Sequence, residues 1–167
     1  MQKEAECVSS DIYVDYIKDF QERLIAAQVL QAECAEYGIE LPINADGSIT
    51  LYHGTSSQAA EKIKKEGFWA CTYFSHSENF TGYGDEGPEW YANVKHNKGR
   101  VFKIHADARV IDFASGSGEF YSTNRMKYNE KTQIWQLSDY KEKNKSAIEQ
   151  YVDNVSIKKQ SASNKER

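Results

Sequence analysis

The segment 51-LYHGTSSQAAEKIKKEGFWA-70 has the pattern of a strand that turns directly into a short helix. Apolar and polar side chains alternate at its start, as in a half-buried strand, and His53 falls on the same face as the apolar ones. Thr55 and Gln58 have the spacing of a capping box, which predicts that the helix begins after Thr55. Gly67 suits the position that follows the last helical turn. The segment therefore predicts a strand–turn–helix unit with a histidine and a glycine at the end of the strand.

A long amphipathic helix is predicted before this unit, over about 10–37. Its apolar side chains recur at steps of three, four and seven residues, as expected for a helix that packs along one face. These apolar positions are Tyr13, Ile17, Phe20, Leu24, Ala27 and Cys34. Gly38 suits the position beyond the helix end. Asp46 and Gly47 form a strong turn dipeptide, which predicts a turn that leads into the strand.

Downstream of residue 70 the periodicity is weaker and the expected elements are shorter. They are a short strand at 71–75, a loop over 82–99 with a helical turn near 89–94, strands at 101–106 and 109–113, a flexible turn at 114–120 and a last strand at 150–158. No element is assigned over 121–140. The pattern predicts an α+β fold with a helical segment at 1–42, one domain at 43–158 and a disordered tail at 159–167.

The composition is that of a globular protein without a bias toward nucleic acid. The chain has 167 residues, 40% hydrophobic and 28% charged, and a net charge of -4. A protein that binds nucleic acid in general carries a basic excess, because phosphate contacts supply much of its affinity. General nucleic-acid binding is therefore not expected. No apolar run reaches the roughly 18 residues that span a bilayer, and the first residues lack a signal-peptide pattern, so a cytoplasmic location without membrane contact is expected.

Most motifs that carry chemistry are missing from the sequence. The three cysteines have no CxxC spacing, and the four histidines form no HExxH pair, so neither a disulfide framework nor a metal site is expected. GxSxG and Walker A patterns do not occur. The glycines of 82-GYGDEG-87 do not follow a strand and open a helix, as a dinucleotide-binding fingerprint must. What remains is 52-YHGTS-56 in its strand–turn–helix setting.

Together with 72-TYFS-75, the opening segment resembles the ADP-ribosyltransferase superfamily in its histidine-type branch. That branch contains the poly(ADP-ribose) polymerase-like and diphtheria-toxin-like transferases, and this chain looks like one of its small phage or bacterial members. The shared pattern is His-Gly-Thr on a first strand, a helix that ends in Ile-x-x-x-Gly-Phe, and an aromatic-Phe-Ser strand. Looser matches are 90-WYA-92 and 101-VFKI-104, so the resemblance covers about 49–113. It implies a split mixed β-sheet core behind the long N-terminal helix.

The resemblance also implies roles for individual residues in binding NAD, which would be the co-substrate, with no metal. His53 would hydrogen-bond a hydroxyl of the adenosine ribose, and the backbone of Gly54 would pair with the nicotinamide amide. Thr55 or Ser56 would support the ribose. The second motif position is filled by Tyr73, with Ser75 beside it. Aromatic rings that would stack on nicotinamide are those of Tyr73, Tyr83 or Tyr91.

The third motif position is a glutamate at the start of a late strand, which orients the nicotinamide ribose and stabilises positive charge. Glu149 and Gln150 both precede a strand-like run and are the first candidates, followed by Glu119 and Asp139. Glu149 would supply the charge. With Gln150 in the site, only hydrogen bonding would remain, and activity would be weaker, restricted to mono-transfer, or absent.

The expected function is mono-ADP-ribosyl transfer from NAD to a macromolecular acceptor, in particular a protein. The enzyme could act as a phage or bacterial effector or toxin, in which case it would work in the host cytoplasm. One alternative is a non-catalytic module of the same fold that binds a partner or blocks a host defence. Another is an RNA 2′-phosphotransferase, which would need basic residues around its site. A histidine at a strand end can also be a packed residue without any ligand.

Overall fold

A computed structural model describes residues 10–79 and 87–138, with side chains from residue 14 onward. Helix α1 spans Ser10–Ala35, so it ends two residues before the predicted boundary. Its buried face carries Ala27, Leu30 and Cys34. Ile17, which belongs to the predicted apolar stripe, is exposed. Only the second half of α1 therefore buries a continuous apolar stripe.

The strand–turn–helix unit is present, with one correction at the helix start. Strand β1 spans Ile49–Thr55 and helix α2 spans Ser57–Glu66. The N-cap is Ser56, whose hydroxyl accepts a hydrogen bond from the amide of Ala59 at 3.1 Å. The predicted capping box at Thr55 is thus wrong by one residue, because β1 retains Thr55. The glycine after the helix adopts a positive φ of 85° and ends it as expected.

The other elements are short. They are β2 (Tyr73–Phe74), α3 (Pro88–Trp90) continued by a π-helical turn (Tyr91–Lys95), β3 (Arg100–Ala106), a 3-10 turn (Ala108–Val110), β4 (Ile111–Ala114), β5 (Glu119–Ser122), β6 (Met126–Asn129) and β7 (Ile134–Leu137). The helical turn expected near 89–94 is present. The strand expected at 109–113 starts two residues later, because Asp107 caps the 3-10 turn through a hydrogen bond from the amide of Arg109.

The strands form two sheets that meet at one residue pair. The order is β1-β3-β7-β6 in the first sheet and β2-β5-β4 in the second. Strands β3 and β7 are parallel, and the other neighbours are antiparallel. Tyr52 of β1 and Ser75, just after β2, exchange both backbone hydrogen bonds at 2.9 Å. Across both sheets the order is therefore β4-β5-β2-β1-β3-β7-β6, and the expected mixed α+β class with a leading helix is confirmed.

After residue 113, one sequence-based expectation is corrected and one unassigned region contains strands. The turn predicted at 114–120 is shorter, because a tight loop at 115–118 brings Ala114 and Glu119 into register as the last pair of β4 and β5. Gly118 closes this loop with a φ of 71°. The unassigned region 121–140 contains β6 and β7. The strand predicted at 150–158 and the tail at 159–167 lie outside the described residues.

The core lies between the sheets and α1, and an ion-pair cluster ties the helix to it. Arg109 is almost fully buried and donates hydrogen bonds to Asp107 and to Asp19 of α1, the shortest of them at 2.7 Å. Burial alone would lower the pKa of Arg109, but these two carboxylates more than offset it, so the pKa is raised. Arg23 of α1 joins the cluster through Asp19 and also donates to the backbone carbonyl of Asp46.

Candidate functional site

A cavity of about 720 Å³ opens where β1 and β2 separate beyond their shared residue pair. Its volume falls in the range of small-molecule sites, roughly 300–1,000 Å³. The walls come from β1, α2, the segment before β2, the start of α3 and the loop before β5. The lining residues are Tyr52, His53, Gly54, Thr55, Ala59, Lys62, Ile63, Gly67, Phe68, Trp69, Cys71, Thr72, Tyr73, Ser75, Pro88, Tyr91, Ser117 and Glu119.

The backbone of Gly54 presents two polar groups at the split between the sheets. Backbone N–H and C=O groups point to alternate sides along a strand, and those of Tyr52 point toward β2, where they bond Ser75. The same groups of Gly54, two residues later, therefore point to the same side. Strand β2 has diverged at this level, and among the described residues no backbone partner meets them. A ligand in the cavity can pair with both.

The face of Gly54 that lacks a side chain is filled by protein. A Cβ at this position would stand 1.8 Å from the carbonyl oxygen of Pro88 and 2.8 Å from its Cα. The glycine thus lets the start of α3 pack directly on the end of β1. Gly99 also permits a close backbone approach to the end of β1, because a Cβ there would stand 2.2 Å from the carbonyl oxygen of Thr55. This packing requirement is a physical reason for Gly54 that the sequence did not indicate.

A hydrogen bond from His53 defines the tautomer of its neutral imidazole. Its Nδ1 lies 2.7 Å from the carbonyl oxygen of Tyr73, which can only accept, so Nδ1 carries the proton. Burial lowers the pKa of His53, and the bond to Tyr73 offsets part of that effect. The ring packs against Phe68 and Phe74, with centroids 5.5 Å away in both cases. In the neutral form, the remaining nitrogen, Nε2, is therefore an acceptor suited to a ligand hydroxyl.

Glu119 brings a carboxylate to the same cavity. It is the first residue of β5, and alternation along this strand buries Phe120 while Glu119 and Tyr121 share the opposite face. Tyr121 pairs with Tyr73 across the two strands, and their rings lie 5.9 Å apart. Partial burial raises the pKa of Glu119. The backbone carbonyl of Tyr73 also accepts the hydrogen bond from His53. Tyr73 therefore connects the cavity wall around His53 with the wall around Glu119.

The other predicted site residues have varied surroundings. Tyr73 is 51% exposed and lines the cavity, as does the half-buried Tyr91 on the π-helical turn. Ser75 is buried at the pair that joins the sheets. The hydroxyl of Ser56 is engaged in capping α2, whereas Thr55 lines the cavity. The predicted residues Tyr83, Glu149, Gln150 and Asp139 lie outside the described residues.

Several lining residues were not predicted as site residues from the sequence, and Trp69 and Lys62 are two of them. Trp69 is 60% exposed at the cavity rim, and its position directly after the helix-closing Gly-Phe was the available signal. Lys62 lies on α2 and is, with Glu119, one of two formally charged side chains on the described walls. Within 10–79 and 87–138, no group of three or more His, Cys, Asp or Glu side chains is arranged to hold a metal ion.

Comparison of the chain with protein-family models, with curated proteins and with solved structures found no match. Among the helices in the described ranges, none is both long and apolar enough to cross a membrane. Function is therefore inferred from the sequence motifs and from the geometry of the cavity.

Proposed function

We propose that this protein is a mono-ADP-ribosyltransferase with a split-sheet ADP-ribosyltransferase fold, and that the cavity between β1 and β2 binds NAD. The observation that carries the proposal is the convergence of His53, Gly54, Tyr73 and Glu119 on one cavity from three separate strands. The sequence resemblance named the first three on motif grounds. Glu119 was a lower-ranked candidate for the third motif position, and its presence on the same walls supports it there.

The polar groups of the cavity match those of a dinucleotide. Nε2 of His53 accepts a hydrogen bond from a ribose hydroxyl, because Nδ1–H is already used on Tyr73. The N–H and C=O of Gly54 form a donor–acceptor pair at the strand edge, which is the complement of a carboxamide. Tyr73 and Tyr91 offer aromatic faces for a planar ring. Lys62 provides a positive charge on the wall for the diphosphate.

The proposed reaction breaks the bond between the nicotinamide nitrogen and ribose C1′; nicotinamide leaves with the bonding electrons, and an acceptor nucleophile bonds C1′ as it loses its proton. Positive charge builds on the ribose in the transition state. The carboxylate of Glu119 stabilises that charge and orients a ribose hydroxyl. Its raised pKa reflects a partly desolvated position, where an electrostatic interaction is stronger than in water.

The alternatives fit the cavity less well. An RNA 2′-phosphotransferase needs several basic groups around a phosphate, whereas Lys62 is the one lysine or arginine on the walls formed by the described residues. A non-catalytic module would be favoured by a missing carboxylate, and Glu119 provides one. The acceptor itself is set by surfaces beyond the NAD site.

The proposal is tested by incubating the protein with labelled NAD and a cell lysate, and measuring label transfer together with nicotinamide release. Glu119→Gln keeps the size of the side chain and removes its charge, so activity should fall by roughly 10²–10³-fold while NAD still binds. Glu130→Gln, in an exposed turn, is the matched control and should retain full activity.

Glu149→Gln belongs in the same series, because it separates the two candidate carboxylates. A large loss with Glu149→Gln and none with Glu119→Gln would assign the third position to residue 149. If the unmodified protein neither binds NAD nor releases nicotinamide, the proposed function is wrong.

A further inference from the structure

Trp69 is a large aromatic side chain held at the cavity rim without being buried. It lines the cavity and is 60% exposed, whereas Phe68, the residue before it, is fully buried in the core. Leaving an indole in water forgoes the stabilisation that its burial would give. The residues around Trp69 hold it in position nonetheless.

Arg125 fixes the indole from one side. Its guanidinium carbon lies 4.6 Å from the centroid of the Trp69 ring, within the range of a cation–π contact. The guanidinium itself is anchored, because Nε and Nη2 both donate to the carbonyl oxygen of Glu66 at 2.9 and 2.6 Å. Arg125 thus covers one face of the ring and cannot swing away freely.

Two hydroxyl groups fix the backbone beneath the indole. The carbonyl oxygen of Trp69 accepts hydrogen bonds from Oγ1 of Thr72 at 2.6 Å and from Oγ of Ser122 at 2.8 Å. Ser122 is fully buried in β5, so this connection reaches into the core. Backbone and side chain are therefore both constrained, and the indole is preorganised to receive a flat ligand without a large loss of conformational entropy on binding.

The charge of Arg125 selects which flat ligand stacks on the opposite face of the Trp69 ring. A guanidinium over one face of an aromatic ring repels a second cation placed over the other. NAD has two planar groups, a positively charged nicotinamide ring and a neutral adenine. The charge therefore disfavours nicotinamide on Trp69 and leaves adenine as the partner.

We propose that Trp69 is the stacking platform for the adenine base of NAD and that Arg125 is a positioning residue that acts through it. This inference rests on the proposed function. It agrees with the local order of the chain: Phe68 packs against the ring of His53, and Trp69 follows immediately. A base on Trp69 would thus lie next to a ribose bound at His53.

The test measures the affinity of the protein for three probes: NAD, AMP, which carries the adenine half, and nicotinamide mononucleotide, which carries the other half. Trp69→Ala should lower the affinity for NAD and AMP by about 5- to 150-fold, the usual effect of losing one base–aromatic stack. The affinity for nicotinamide mononucleotide should stay unchanged. Trp69→Phe should recover much of the loss. Trp90→Phe is the control, since Trp90 is not among the cavity-lining residues described above.

Arg125 is tested by a double-mutant cycle, which separates positioning from general stability. Arg125→Gln should lower the affinity for AMP less than Trp69→Ala does. It should not lower that affinity further once Trp69 is alanine. An equal effect of Arg125→Gln in both backgrounds would overturn its role as a positioning residue.

The outcomes distinguish this inference from the proposed function. If the unmodified protein binds NAD and Trp69→Ala changes NAD and AMP affinity less than about twofold, the adenine platform is wrong and the proposed function stands. If it binds NAD and AMP with the expected dependence on Trp69 but releases no nicotinamide and transfers no label, the platform stands and the transferase function fails. If it binds none of the three probes, both are wrong.

Discussion

Gly54→Ala tests the close packing between the end of β1 and the start of α3. The added Cβ would stand 1.8 Å from the carbonyl oxygen of Pro88, whereas real Cβ atoms essentially never come within 3.0 Å of a neighbour. The two segments must therefore move apart by about 1.2 Å. The obstructing atoms belong to the backbone, so no side-chain rotation can relieve the contact.

The expected cost in stability follows from this shift. Overpacking costs roughly 1–3 kcal/mol, and a rigid backbone contact should lie near the upper end. For a chain of this size, each kcal/mol lowers the melting temperature by about 2–4 °C, so a fall of roughly 4–12 °C is expected. Because Gly54 and α3 both form the cavity wall, NAD affinity should fall as well.

Thermal denaturation followed by circular dichroism measures the first effect, and calorimetric titration with NAD measures the second. Gly116→Ala is the matched control, since a Cβ at that exposed position meets no atom within 4 Å; its melting temperature should stay the same or rise slightly. A Gly54→Ala protein that melts within about 1 °C of the unmodified chain would show that β1 and α3 are not in this contact.

Three further predictions concern the helix cap, the ion-pair cluster and the histidine. Ser56→Ala removes the cap of α2 and should cost about 1 kcal/mol in chemical denaturation, whereas Ser57→Ala should cost little; equal effects would argue against this cap. Arg109→Met leaves the buried carboxylate of Asp107 without its charged partner and should cost roughly 3–5 kcal/mol in the same assay. A loss below about 1 kcal/mol would contradict the buried ion pair. Because the pKa of His53 in the folded state lies below its ordinary value of 6.5, the folded protein binds fewer protons than the unfolded chain, and stability falls as the pH drops below about 6.5. His53→Asn should reduce this acid-induced fall in melting temperature, leaving the part due to His76, whose pKa burial also lowers. An unchanged pH profile would contradict the lowered pKa of His53.

The elements predicted well from the sequence are those with strong local signals. The strand–turn–helix unit at Ile49–Glu66 has alternation, a polar cap and a closing glycine within twenty residues, so local rules suffice. Strands β6 and β7 have four residues each, and burial does not alternate along them. Strand β6 buries only its first residue, and β7 buries its first and its last. Strand β7 pairs with β3, nearly thirty residues away in sequence, and no local pattern records that pairing.

The candidate site likewise contains residues that the local sequence indicates and residues that only the fold reveals. The His-Gly pair and Tyr73 were accessible from motif spacing, but the bond between Nδ1 of His53 and the carbonyl of Tyr73 depends on how two strands diverge. Glu119 was hidden by the glycines and serines around it, which predict a longer turn. Its position as the first residue of β5 depends on the register with β4, which only the folded chain fixes.

The gap between β1 and β2 also bears on aggregation through unpaired strand edges. Unpaired strand edges recruit other chains, and proteins usually blunt them with charges, prolines or bulges at the rim of a sheet. Here the peptide groups of Gly54, which meet no backbone partner among the described residues, lie in the interior of the strand order, with β2 facing β1 across the opening. A small molecule can reach these groups, whereas an extended strand from another molecule would have to enter between two strands that are already joined at one end. The chain can thus keep peptide groups available for a ligand without offering them as a template for aggregation.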